Sequence, residues 1–171
     1  LKSNGNLAFA NGNGIDFSAW TNTGGTGTAN KHEILNSYEQ GTFTPYLKPH
    51  DSTTGQVAGS GQYVRVGHGV TMRFSFYDVD TTSIPDGKTI SISGLPFTTD
   101  HDGVNGFFTG STMMMHYVNT QVNNTFYSND NTSVIYGIYG NDGGQWAGWQ
   151  TNDFNNNAST RVIFNMFVVV D

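Results

Sequence analysis

Arg161-Val162-Ile163-Phe164-Asn165-Met166-Phe167-Val168-Val169-Val170-Asp171 reads as a β-strand that is apolar on both faces. Alternate side chains of a strand point to opposite sides. One side therefore carries Val162, Phe164, Met166, Val168 and Val170, and the other Ile163, Phe167 and Val169. A strand with one wet face would alternate apolar with polar. Because the rest of the chain does show that polar alternation, the second apolar face needs a cover. The expected cover is another copy of the chain, with the C-terminal strands near a symmetry axis.

Working outward, the 171 residues fit one domain, long enough to bury about 70% of the surface of the unfolded chain. Only 12% of residues are charged and the net charge is −6, so neither nucleic acid nor an anionic membrane is an expected partner. The chain has no cysteine, which leaves no disulfide frame, thiolate metal site or cysteine nucleophile. It has neither an apolar run long enough to span a membrane nor a secretion-signal pattern, and its start at Leu1 suggests a piece of something longer. Twenty-two glycines, abundant Asn, Thr and Ser, and only two glutamates, Glu33 and Glu39, starve helices and feed strands and turns. Aromatic residues at 13% argue against disorder. The expected class is all-β, an extracellular or virion-type module.

Residues 1–41 read as a linker or collar, punctuated by Asn4-Gly5, Asn11-Gly12, Asn13-Gly14 and Gly24-Gly25, with short extended pieces at Leu7–Phe9 and Ile15–Phe17. One short helix is predicted over 31–38, capped by Asn30 with Glu33 three residues on, and ended by Gly41. Residues 42–171 carry the strands, expected at 42–47, 62–66, 70–80, 88–95, 106–108, 112–118, 122–127, 134–139, 145–149 and 160–170. Val70, Met72, Phe74 and Phe76 alternate with Thr71, Arg73, Ser75 and Tyr77, the pattern of an antiparallel β-sandwich of two packed sheets, jelly-roll-like. Gly41, Gly67 and Gly94 are expected to make tight turns.

Gly14-Ile15-Asp16-Phe17-Ser18, the run from Ile34 through Tyr38-Glu39-Gln40-Gly41-Thr42-Phe43-Thr44-Pro45, Tyr63-Val64-Arg65-Val66-Gly67 and Leu95-Pro96-Phe97 follow one another in an order that resembles the C-terminal modules of tailed-bacteriophage tail fibres and tailspikes. That group's pattern is a "GIDFS" linker, a "DYEEGTWTP" segment, a "YxKxG" turn and an "LPF" strand end. Asn36-Ser37 stands where the pattern is acidic, and Phe43 where it has Trp. The resemblance implies a homotrimeric β-sandwich at the tip of a viral adhesion fibre, a virion component that works outside the cell and binds a host-surface polysaccharide or outer-membrane receptor.

Aromatic rings in polar loops are the chief binding signal, because a sugar offers its C–H face to a ring and its hydroxyls to amides and carboxylates. Asn141, Asp142, Trp146 and Trp149 supply these groups within ten residues. The two tryptophans, three apart, point to opposite faces of a regular strand, and the competing reading makes both core residues, an ambiguity shared by Tyr136 and Tyr139. A second candidate is Asp100, His101, Asp102 and Asn105, although the spacing lacks the six or more oxygen ligands of a calcium site. The five histidines include no His-x-His or His-x-x-x-His pair, so no metal and no cofactor is expected. Carboxylate pairs such as Asp100 with Asp102 or Asp142 with Asp153 lack further catalytic context, and neither a nucleophile elbow nor a phosphate loop is present. The expected function is therefore a non-enzymatic receptor-binding head whose loops 98–105, 128–132 and 140–150 make repeated contacts. The alternatives are a trimerisation cap of a polysaccharide-degrading spike, or a depolymerase.

Overall fold

A computed structural model of the chain describes residues 10, 15–16, 34–35, 38–51, 55–100, 108–115, 125–129, 131–140, 145–154 and 160–170. Near the N-terminus β1 (Ile15–Asp16) pairs antiparallel with β2 (Ile34–Leu35). The helix expected over 31–38 is thus corrected: Ile34 and Leu35 are paired strand and Tyr38 opens another. One turn's worth of capping signals is too little to nucleate a helix where a partner strand can take the backbone groups. The remainder of that segment lies outside the described residues.

A bent hairpin closes the molecule. β3 (Tyr38–Phe43) pairs with β6 (Ser60–Val66), and β4 (Tyr46–Pro49) pairs with β5 (Val57–Ala58). The register runs unslipped from Tyr38↔Val66 to Leu47↔Val57, and at the bend the Gly59 amide donates to the Pro45 carbonyl at 2.8 Å. Pro45, which has no N–H to give, sits where the ladder kinks. Beyond the kink the partners diverge. β6 turns through Gly67 (φ +59°) into β7 (Gly69–Tyr77), whereas β4 pairs with β8 (Ile90–Ser93).

Between these two ends the sheet runs through β13 (Arg161–Val169), β9 (Phe108–Met115), β10 (Thr125–Ser128) and β11 (Ile135–Gly140), all antiparallel, with β12 (Trp146–Gly148) also on β11. Where two separate sheets are expected, β3 to β13 lie on one hydrogen-bonded path that curls back to its own start. The expected division at residue 41 falls inside β3. Strand 70–80 ends early, at Tyr77, because Asp78 adopts φ +53°.

The interior of the curl is aromatic. Phe164 of β13 stacks on Phe74 at 4.6 Å and meets Phe126 at 5.1 Å and Trp149 at 5.8 Å, so one ring ties neighbouring strands to the far side. Glycines make room for such rings. Phe126 lies over Gly110, Phe43 over Gly61, Tyr63 over Gly41 and Trp149 over Gly137, and a Cβ at any of them would collide with the ring. Gly41, expected in a turn, is therefore a strand residue beneath Tyr63. Gly67 and Gly94 do turn, both with positive φ.

The C-terminal strand lies inside the sheet, bonded to β7 on one side and β9 on the other. Val162, Phe164, Met166, Val168 and Val170 are buried. On the outer side Phe167 is 57% exposed, its ring resting on Gly69, and Ile163 and Val169 are half-buried. Across β7, Gly69 pairs with the exposed Val66 of β6, whose β3 partner is the exposed Tyr38, and the exposed Val64 lies two residues along on the same face. Of the second apolar face, Phe167 is open to water in the single chain and Ile163 and Val169 are partly covered.

Candidate functional site

The outer face of β10, β11 and β12 gathers aromatic side chains. Tyr127 and Tyr136 are direct cross-strand partners, stacked at 5.3 Å with 27° between their planes. Trp146, opposite Gly140, meets Tyr127 edge-on at 5.9 Å and is 64% exposed. His50 packs edge-on to Tyr136 at 5.0 Å. One row of register across the sheet reads Tyr127, Tyr136, Ser91, Lys48. Burial, and then the neighbouring Tyr136, push the Tyr127 phenol above its ordinary range, so it stays a hydrogen-bond donor.

Trp149 builds this face from behind. Its indole Nε1 donates to the Ile138 carbonyl at 3.1 Å, its amide to Gly137 at 2.9 Å, and its own carbonyl accepts from Ile90 at 2.7 Å. The segment that follows is pinned by the Thr151 amide on Lys88 O (3.0 Å) and the Thr151 hydroxyl on Pro85 O (2.9 Å). With the Trp149 ring locked inward, strand alternation turns Trp146 outward. The two tryptophans lie on opposite faces as their spacing implies. Trp149, expected among the ligand contacts, is 0% exposed in the single chain, with its indole donor engaged. Tyr139 likewise packs against the core, whereas Tyr136 faces out.

Asn141, Asp142, His101, Asp102 and Asn105 lie outside the described residues. Asp100 is half-buried and its amide donates to Val169 O at 2.9 Å. Beside it Thr99 Oγ1 donates to the Asn129 carbonyl at 2.6 Å, and the Thr99 amide to Thr132 at 2.9 Å. The start of loop 98–105 is thus joined to the β10–β11 connection. Loop 140–150 leaves the opposite end of β11, five residues and about 17 Å away along an extended strand. Trp146, the described aromatic of loop 140–150, is the first residue of β12 and belongs to the sheet face. Asp153, in sequence only half of a carboxylate pair without catalytic context, accepts the Gln150 amide at 2.7 Å and serves the turn Thr151–Asp153.

Sequence reasoning missed Tyr127, His50 and Lys48. Each is ordinary in its own segment, and only the register brings them beside Tyr136. Two adjoining open hollows of about 450 and 460 Å³ lie on β3, β6 and β7, sharing Thr42, Gln62 and Arg73. They lack the stacked rings of the β10–β12 face. Among the described residues no group of three His, Cys, Asp or Glu side chains is placed to hold a metal ion. No family model, no curated protein and no solved structure matches the chain.

Proposed function

We propose that this chain is the non-enzymatic receptor-binding head of a tailed-bacteriophage fibre, a homotrimer that attaches the virion to a host-surface glycan. In that assembly each curled sheet acts as a flattened, jelly-roll-like sandwich. The observation that carries the binding half is the platform of Tyr127, Tyr136 and Trp146, three rings on one face with the largest of them open to water. Rings so arranged offer stacking area at little entropic cost, with phenol and indole groups for sugar hydroxyls. The viral half rests on the motif resemblance. The assembly half rests on Phe167, Tyr38, Val64 and Val66, large apolar side chains exposed together. Isolated apolar residues on a surface need no explanation, but a contiguous patch marks an interface.

Three weak sites on one particle would gain roughly 10²–10⁴ over a single site when they engage one cell together. Light scattering should give three copies per particle for the wild type and one for Phe167→Asp. On a glycan array the wild type should bind, Trp146→Ala should fall silent with its thermal unfolding unchanged, and Phe167→Asp should bind far more weakly. A silent wild type would refute the binding role, and a monodisperse single copy would refute the assembly.

A further inference from the structure

Resting on the glycan-binding reading, we infer that the platform takes an acidic sugar, with a uronic-acid residue stacked on Tyr136 and its carboxylate held by Lys48. The chain as a whole is acidic, with seven basic residues against thirteen acidic ones. Yet the row that contains the stacked tyrosines ends in a lysine, two strands from Tyr136. Strands spaced about 4.8 Å apart put the two Cα atoms about 10 Å apart. A pyranose on the Tyr136 ring, together with the extended lysine stem, spans that gap. Among the described residues Lys48 forms no ion pair. Asp51 lies 3.7 Å from His50 Nε2, and its side chain is largely exposed.

Ser91 is an independent pointer. It stands in the row between Lys48 and Tyr136. Because Ile90 and Ile92 on either side fill the core, its side chain is directed to the outer face. The residue is 1% exposed, and among the described residues its hydroxyl has no hydrogen-bond partner. Buried hydroxyls are almost always paired. A ligand that draws Lys48 or Tyr136 aside supplies the missing partner, a sugar hydroxyl or carboxylate oxygen directly over the row.

The intact protein should be titrated with tetrasaccharides of galacturonic, mannuronic and glucuronic acid, each beside its carboxyl-reduced neutral form, with a broad neutral glycan array in parallel. Those that bind should do so about three- to fivefold more tightly as the acid, the size expected of one partly exposed charge pair. The preference should fade near 1 M salt, where the screening length is about 3 Å. Lys48→Met, which keeps the apolar stem, should equalise the acidic and neutral forms, while Trp146→Ala should weaken both alike. Equal binding of the two forms by the wild type, a preference that survives Lys48→Met, or binding confined to the neutral array would overturn the acidic-sugar inference and leave the glycan reading standing. Silence across the acids and the neutral array together would overturn both.

Discussion

Gly137→Ala tests whether the platform depends on a tryptophan seated on bare backbone. The added Cβ would come within 2.7 Å of Trp149 Cε2 and closer still to Cδ2 and Cε3. Trp149 is wholly enclosed, so the ring cannot swing into solvent. Overpacking a filled core costs about 1–3 kcal/mol. If the ring shifts, the Nε1–Ile138 hydrogen bond goes with it, and a stranded buried donor costs about 1–3 kcal/mol more. Removing a glycine from a strand returns about 0.5–1 kcal/mol. The net expectation is a loss of about 3 kcal/mol, a drop of about 1.5 M in the urea midpoint for a slope near 2 kcal/mol/M. Urea unfolding followed by circular dichroism, at one protein concentration throughout, measures it. The decisive comparison is the Trp149→Leu background, where the clash is gone and Gly137→Ala should be neutral or mildly stabilising. That coupling of about 3 kcal/mol is large for a contacting pair. A neutral Gly137→Ala, or one equally harmful with and without Trp149, would refute the argument.

Other consequences follow from particular contacts. Phe164→Ala, which empties the ring joining β7, β10 and Trp149, should cost about 3–5 kcal/mol in the same unfolding assay, and a loss below 1 kcal/mol would mean the core is not organised around it. The Asp80 carboxylate accepts the Thr82 amide at 2.9 Å, and hydrogen bonds from Thr82 hold its pKa below the ordinary value. Its contribution is therefore present above the unfolded carboxylate range and lost as pH falls through the depressed value. Melting curves of wild type and Asp80→Asn should differ slightly at neutral pH and converge in acid. The Tyr63 phenol, donating to Glu39, is raised above 10.0 chiefly by that bond. Its stabilisation persists below the ordinary phenol range and disappears as pH climbs through the raised value, so Tyr63→Phe should flatten the alkaline limb of the stability curve. Equal alkaline limbs would show that the bond does not form in solution.

What could be read before folding, and what could not, divides along a physical line. The strand period is local, so Val70-Met72-Phe74-Phe76 and the two-faced C-terminal run announced which residues go inward, and β7 and β13 place them there. The tryptophan pair was legible for the same reason, since three residues of extended chain reverse a side chain's direction. Pairing partners are not local. Nothing within Gly137 or Gly110 marks them as seats for Trp149 and Phe126, and nothing in Lys48 ties it to Tyr136. Only the register reveals that glycines here are spent on accepting rings as much as on turning the chain. The predicted helix failed through the same blindness, because Ile34 and Leu35 carry acceptable helical signals until Ile15 and Asp16 arrive as partners. The candidate site inherits this division. Its locally announced members are Trp146 and, with the same ambiguity, Tyr136, and its chemistry is set by residues of β4, β8, β10 and β11, segments far apart in sequence that the register places side by side.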